Sequence, residues 1–276
     1  MLGTEIFRSE VLSETITRIW MPGNVFAYLV RGTDRAAVID TGCGLGPFRR
    51  YAEDLLGGLP YDLILTHGHV DHAGGAAEFD KAWLHPRDVP VAAAHTDKAI
   101  RKSFLVRQYP DLTEEDMPPR MTEGYAPLSY GQTFPLGGET LEIVCLGGHT
   151  PGSVGILFRQ ARILLAGDAC CSFTLLFGGE QDSLPVAEYK KNLEETWAQY
   201  RDCFDTMLYS HPHNYGGPEV MAQMIDLCAE ILAGRDDRIP SQGLFGTRSF
   251  TAKAVNEQNR RKDGLIANLQ YGESKI

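Results

Sequence analysis

The chain has 276 residues, 43% of them hydrophobic and 22% charged, ordinary values for a globular protein with room for a sizeable core. Its formal net charge of −10 weighs against a surface that tracks a nucleic-acid backbone, because such surfaces gather Lys and Arg to displace counterions. No segment offers the roughly 18 apolar residues of a membrane span, and Glu5, Arg8, Glu10, Glu14 and Arg18 break up any signal-peptide core. The expectation is a cytoplasmic protein with neither nucleic-acid nor membrane partners.

In chain order, Ile16 to Trp20, Val25 to Val30 and Ala36 to Ile39 read as a strand meander, parted by Pro22-Gly23-Asn24 and Gly32-Thr33-Asp34. A helix is expected over Phe48 to Leu56 and a strand over Asp62 to Leu65. The small residues Ala73-Gly74-Gly75-Ala76-Ala77 suggest a closely packed helix, followed by a short strand at Trp83-Leu84. From about 86 to 127 the chain is polar, with Arg101-Lys102, Glu114-Glu115-Asp116 and Pro118-Pro119, and reads as a helical insertion.

Strands return at Thr140 to Leu146, Arg162 to Ala166 and Thr206 to Tyr209, with amphipathic helices over Glu188 to Tyr200 and Val220 to Leu232. With no repeat and no long linker, residues 1–276 read as one mixed α/β domain carrying a C-terminal extension at 240–276. The stretch from Phe245 to Tyr271 would pack on the core or reach a partner subunit, which leaves room for a homodimer. The six cysteines show no C-x-x-C spacing and are expected as reduced, buried thiols. The basic run Arg260-Arg261-Lys262 reads as a solvated loop.

Polar residues fall in a pattern of their own. Five short apolar strands run into Asp40, His67, His149, Asp168 and His211, and strand ends of an α/β sheet are where sites are usually built. The run His67-Gly68-His69-Val70-Asp71-His72 is the strongest motif. In an extended loop His67 and His69 project the same way and can pinch one ion, while Asp71 and His72 can serve a second. Imidazole with carboxylate favours zinc, with iron or manganese accessible, and the absence of Cys argues against a closed structural site. Taken singly, His149 would be a turn residue, Asp168 a helix cap and His211 a loop residue; beside the hexapeptide all three become ligand candidates. His213 competes with His211, which follows its strand directly. His85 and His95 lie away from these motifs.

These residues resemble the metallo-β-lactamase superfamily of hydrolases: His67 to His72, then His149 in Gly-Gly-His-Thr-Pro-Gly-Ser, Asp168 in Ala-Gly-Asp-Ala, His211 in Ser-His-Pro, and Asp40-Thr41-Gly42 upstream. The likeness covers about residues 15 to 235. It implies a four-layer αβ/βα sandwich, one divalent ion held by His67, His69 and His149, a second by Asp71, His72 and His211, and Asp168 bridging the two. Asp40 would accept a hydrogen bond from a ligand histidine and fix its tautomer.

Two ions about 3.5 to 4 Å apart would hold a bridging hydroxide at neutral pH. Asp71, ahead of Asp168, would relay the proton, and Tyr215 could add an oxyanion hydrogen bond, although an aromatic packed beside the loop reads as well. Asp168 stands where the superfamily's β-lactamases carry Cys or Ser, which points toward the arrangement of glyoxalase II, lactonases and phosphodiesterases. The resemblance therefore implies hydrolysis of a small ester, thioester or lactone. Alternatives are a phosphodiesterase on the same site, a mononuclear-iron persulfide dioxygenase, and a catalytically silent metal-binding scaffold.

Overall fold

The computed structural model describes residues 2–179, 182–242 and 248–276. Phe245, where the C-terminal segment was expected to begin, lies outside the described residues. The chain divides into two compact units. Unit 1 comprises 1–142 and 210–212, and unit 2 comprises 143–209 and 213–276.

Unit 1 is built on a seven-stranded sheet in sequence order: β1 (Arg8–Val11), β2 (Ile16–Met21), β3 (Val25–Arg31), β4 (Ala36–Ile39), β5 (Tyr61–Ile64), β6 (Ala82–Leu84) and β7 (Tyr125–Pro127). The first four form the antiparallel meander, and the last three add on in parallel. β1 was not expected, because all four of its residues are exposed and it therefore carries no apolar alternation. The parallel half is joined by helix α1 (Phe48–Leu56), whose Phe48, Ala52 and Leu56 recur every four residues and bury against Val38 and Leu63. Gly57 ends α1 in the left-handed region, at φ 62°.

Past β5 the helix expected over 73–77 is interrupted. One turn, α2 (Val70–Ala73), and a 3-10 turn at Ala76–Glu78 stand on either side of Gly74-Gly75. Val70 O and the Cys43 backbone come so close to Gly74 that a Cβ would clash at 2.4 and 2.7 Å, so this segment serves close approach rather than helix propagation. The 86–127 segment contains α3 (Val89–His95) and α4 (Lys98–Leu105), but its last three residues form β7, paired with β6. β8 (Thr133–Pro135) pairs with the start of β9 (Thr140–Cys145), and the boundary between the units falls inside β9.

In unit 2 the end of β9 is followed by β10 (Val154–Phe158), β11 (Ile163–Leu165) and β13 (Thr206–Leu208), in the spatial order β13-β11-β10-β9. A four-stranded sheet orders β12 (Phe173–Leu176), β16 (Asn268–Gly272), β15 (Arg248–Thr251) and β14 (Ile239–Gln242). Helices α5 (Val186–Tyr200) and α6 (Glu219–Leu232) share a core with both sheets, through Tyr189, Leu193, Met224, Cys228, Leu164 and Leu269. The C-terminal segment packs on this core through Phe250, Ala252, Ala267 and Tyr271. All six cysteines are free thiols; Cys43, Cys170, Cys171 and Cys228 are buried, and Cys145 and Cys203 are half-buried. Among the described residues no helix is long and apolar enough to cross a membrane.

Candidate metal centre

In unit 1 the site grows from the end of β4. Asp40 adopts φ 63°, a left-handed conformation that Asp tolerates better than most side chains. Its carboxylate accepts from Thr66 N and Thr66 Oγ1, both at 2.8 Å, and from His72 Nδ1 at 2.9 Å. A carboxylate only accepts, so His72 carries its proton on Nδ1 and presents an Nε2 lone pair. The Thr66 hydroxyl has spent its proton on Asp40, so its 3.1 Å contact with His67 Nδ1 makes that nitrogen the donor. His67 also presents Nε2. One buried aspartate thus sets two imidazole tautomers.

The hexapeptide divides into an extended half and a helical turn. In the extended half His67 Nε2 lies 3.1 Å from His69 Nδ1. A tetrahedral zinc site with Zn–N of about 2.0–2.1 Å separates two ligand nitrogens by about 3.3 Å, so this pair fits a common ion. In the helical turn one donor atom from each of Asp71, His72 and His211 lies within 4.8 Å of the others. His211 Nδ1 donates to Asn24 O at 2.8 Å, which again leaves Nε2 as a lone pair. His211 Nε2 then faces Asp71 Oδ2 at 3.3 Å, and His72 Nε2 faces Asp71 Oδ1 at 3.6 Å. Lone pairs turned toward carboxylate oxygens repel unless a cation stands among them, so this donor set suits a divalent ion.

Unit 2 holds two candidate donors of its own. His149 follows Gly147-Gly148 after β9, and its Nδ1 donates to Leu175 O at 2.7 Å. Gly148 admits no side chain, because the Tyr189 ring of α5 would stand 2.0 Å from a Cβ there. Ser183 Oγ donates to His149 O at 2.7 Å and closes the turn. Asp168 follows β11, with Oδ2 4.0 Å from His149 Nε2. Tyr215 is half-buried, with the Arg260 guanidinium over its ring at 3.6 Å.

Several supporting residues carried no signal in the sequence. Asp88, buried in the 86–127 segment, accepts from Gly68 N at 2.8 Å, and α3 packs so tightly here that a Cβ on Gly68 would lie 2.7 Å from Ala92 N and Asp88 O. Arg101 of α4 is fully buried and donates to Gly74 O at 2.8 Å and to Pro118 O. Burial lowers its pKa. His95 does not lie away from the motifs: its ring stacks on His69 at 4.8 Å. His85 stacks on Tyr130 at 4.6 Å, and burial lowers its pKa. His95 belongs to the segment read as an insertion and His85 directly precedes it, and spacing says nothing about which rings that segment returns to the site.

The family model described as the metallo-beta-lactamase superfamily matches residues 20–213. The chain is 27% identical over 254 residues to the acyl-coenzyme A thioesterase MBLAC2 of Bos taurus, covering 85% of this chain and 88% of that protein. It is 30% identical over 161 residues to the hydroxyacylglutathione hydrolase of Acidiphilium cryptum, across 58% of this chain and 53% of that one. A beta-lactamase domain protein from Burkholderia ambifaria superposes with a TM-score of 0.59 at 18% identity, over 87% of this chain and 79% of that structure, a likeness of fold alone. The α/β sandwich expected from the sequence is the one these folds share, and the cluster of imidazoles and carboxylates is of the kind that binds divalent metal. The chain belongs to the metallo-β-lactamase superfamily, as a hydrolase rather than a true β-lactamase.

Proposed function

We propose that this protein is a two-metal thioesterase, working on one catalytic domain with a small-molecule thioester as substrate and zinc as its preferred ion. The observation that carries this reading is the Asp71 carboxylate, faced by two Nε2 lone pairs whose tautomers are fixed from behind. Unit 1 offers two nitrogens for one ion and a nitrogen, nitrogen, oxygen set for another, each short of a complete shell. In the proposed centre His67, His69 and His149 would hold one ion, Asp71, His72 and His211 would hold the other, and Asp168 would serve both. The extended similarity to an acyl-coenzyme A thioesterase supports a thioester ahead of an ester or lactone.

Bound ions would supply an activated water and polarise the substrate carbonyl. The chain's own groups do the rest. Asp40 and the Asn24 and Leu175 carbonyls hold the imidazoles so that little reorganisation is needed. Asp71 takes the proton of the attacking water at Oδ and passes it to the departing thiolate as the C–O bond forms and the C–S bond breaks. A thiol leaving group has a pKa near 8.5, so this transfer is undemanding.

Metal analysis of protein purified without added metal, with assays on thioesters, lactones, phosphodiesters and β-lactams, tests the reading. About two zinc or manganese ions per chain and preferred thioester turnover are expected. Asp71→Ala should lower kcat/KM about 10²- to 10⁴-fold while circular dichroism is unchanged. A single iron with oxygen consumption, a phosphodiester as best substrate, or full activity in Asp71→Ala would each overturn it.

A further inference from the structure

Unit 2 contains a cavity of about 480 Å³ that the chemistry above does not use. Small-molecule sites typically run from about 300 to 1,000 Å³. Its wall includes Ser172, Phe173, Tyr215, Arg260, Ile266 and Asn268, and polar side chains outnumber apolar ones around it.

The basic run expected as a solvated loop is instead part of this wall, and its two arginines have different fates. Arg261 is buried and consumed internally, donating to the Asp263 carboxylate and to Ala267 O. Arg260 is exposed, with its guanidinium over the Tyr215 ring at 3.6 Å. Its backbone is fixed by a closed loop: Val255 and Arg261 form an antiparallel bridge, Asn256 Oδ1 accepts from Arg260 N at 3.0 Å, and Asn256 N donates to Arg260 O at 2.8 Å. Tyr215 is tied in turn to the segment that follows Asp168. Its N donates to Ser172 Oγ at 3.4 Å, and Ser172 Oγ donates to Asn214 Oδ1 at 3.0 Å.

A guanidinium stacked by its face keeps its in-plane N–H donors turned outward, the arrangement that captures a carboxylate or phosphate with two parallel hydrogen bonds. In a chain of net charge −10, an ordered cation in a concave wall marks a local anion site. We propose that this cavity binds the anionic end, phosphate or carboxylate, of the thiol half of the substrate, with Arg260 as the anchor and Tyr215 as its platform. The assignment rests on the thioester reading for the rest of the ligand but not for the anion itself.

Two measurements separate these. Calorimetry with coenzyme A, glutathione and the uncharged thiol N-acetylcysteamine reads binding without turnover. Arg260→Gln should weaken coenzyme A or glutathione at least tenfold, Arg260→Lys should recover part of the loss, and Tyr215→Leu should weaken the same ligand. Selective loss of coenzyme A assigns a phosphate, and of glutathione a carboxylate. In kinetics, the ratio of kcat/KM for anionic over uncharged thioesters of one acyl group should fall at least tenfold in Arg260→Gln. Unchanged binding of both anionic thiols in Arg260→Gln, or an equal kinetic loss on charged and uncharged thioesters, overturns the assignment and leaves the thioesterase reading standing. Arg260-dependent binding of an anionic thiol by a protein that hydrolyses no thioester does the reverse.

Discussion

The hexapeptide of unit 1 and the Gly-Gly-His turn of unit 2 hold their metal-binding candidates by different means. In unit 1 a side chain, Asp40, fixes His72 directly and His67 through Thr66, so one buried carboxylate sets the orientation of two rings. In unit 2 His149 is fixed by a main-chain carbonyl, Leu175 O, and its turn by Ser183 and the Gly148–Tyr189 contact. Main-chain anchors cannot be removed by substitution, whereas a side-chain anchor can. The orientation of His67 and His72 is therefore more vulnerable to a single mutation than that of His149.

Asp40→Asn is the sharpest way to break that asymmetry. An amide in place of the carboxylate cannot accept from Thr66 N, Thr66 Oγ1 and His72 Nδ1 together, so His72 and His67 lose their fixed tautomers. A 10- to 100-fold loss of metal affinity is expected, read by chelator competition. Affinity within twofold of wild type would show that the rings are held by packing alone.

Gly68→Ala tests the close approach of α3 to the hexapeptide in the same unit. Its Cβ would meet main-chain atoms at 2.7 Å, which cannot swing aside as a flexible side chain could. A loss of about 1–3 kcal/mol is expected in denaturant unfolding, and a neutral result would mean that α3 can move away from the motif.

The smallest effect is expected at Glu78, a half-buried carboxylate of unit 1 with a different fate from Asp40. Burial pushes its pKa up to about 7, against the backbone hydrogen bond from Arg49 N. Between its ordinary value of 4.5 and about 7 the folded state keeps a proton that the unfolded state gives up. Stability contributed by this group is therefore full below pH 4.5 and declines as pH rises through the window. Glu78→Gln, which cannot ionise, should gain about 2–4 °C in Tm over wild type at pH 8 and lose that advantage near pH 4. An advantage of the same size at both pH values would point to packing rather than ionisation.

The sequence alone carried the order of the main elements, the helix Phe48–Leu56 to the residue, and the resemblance that rested on the hexapeptide and the later strand-end residues. Those signals are local: apolar periodicity and short-range spacing survive in one dimension. β1 escaped because an exposed edge strand carries no apolar alternation. The expected helix through Gly74-Gly75 failed because small residues there serve backbone contact with Cys43. Asp88, Arg101 and His95 became site neighbours only when α3 and α4 folded back onto the hexapeptide, over separations of 20 to 27 residues that no spacing rule encodes. The basic run was legible as charge, but which of its arginines is buried against Asp263 and which stands over Tyr215 was decided by the turn at Asn256. Residue chemistry is written along the chain; which donors meet is decided by packing between segments distant in sequence.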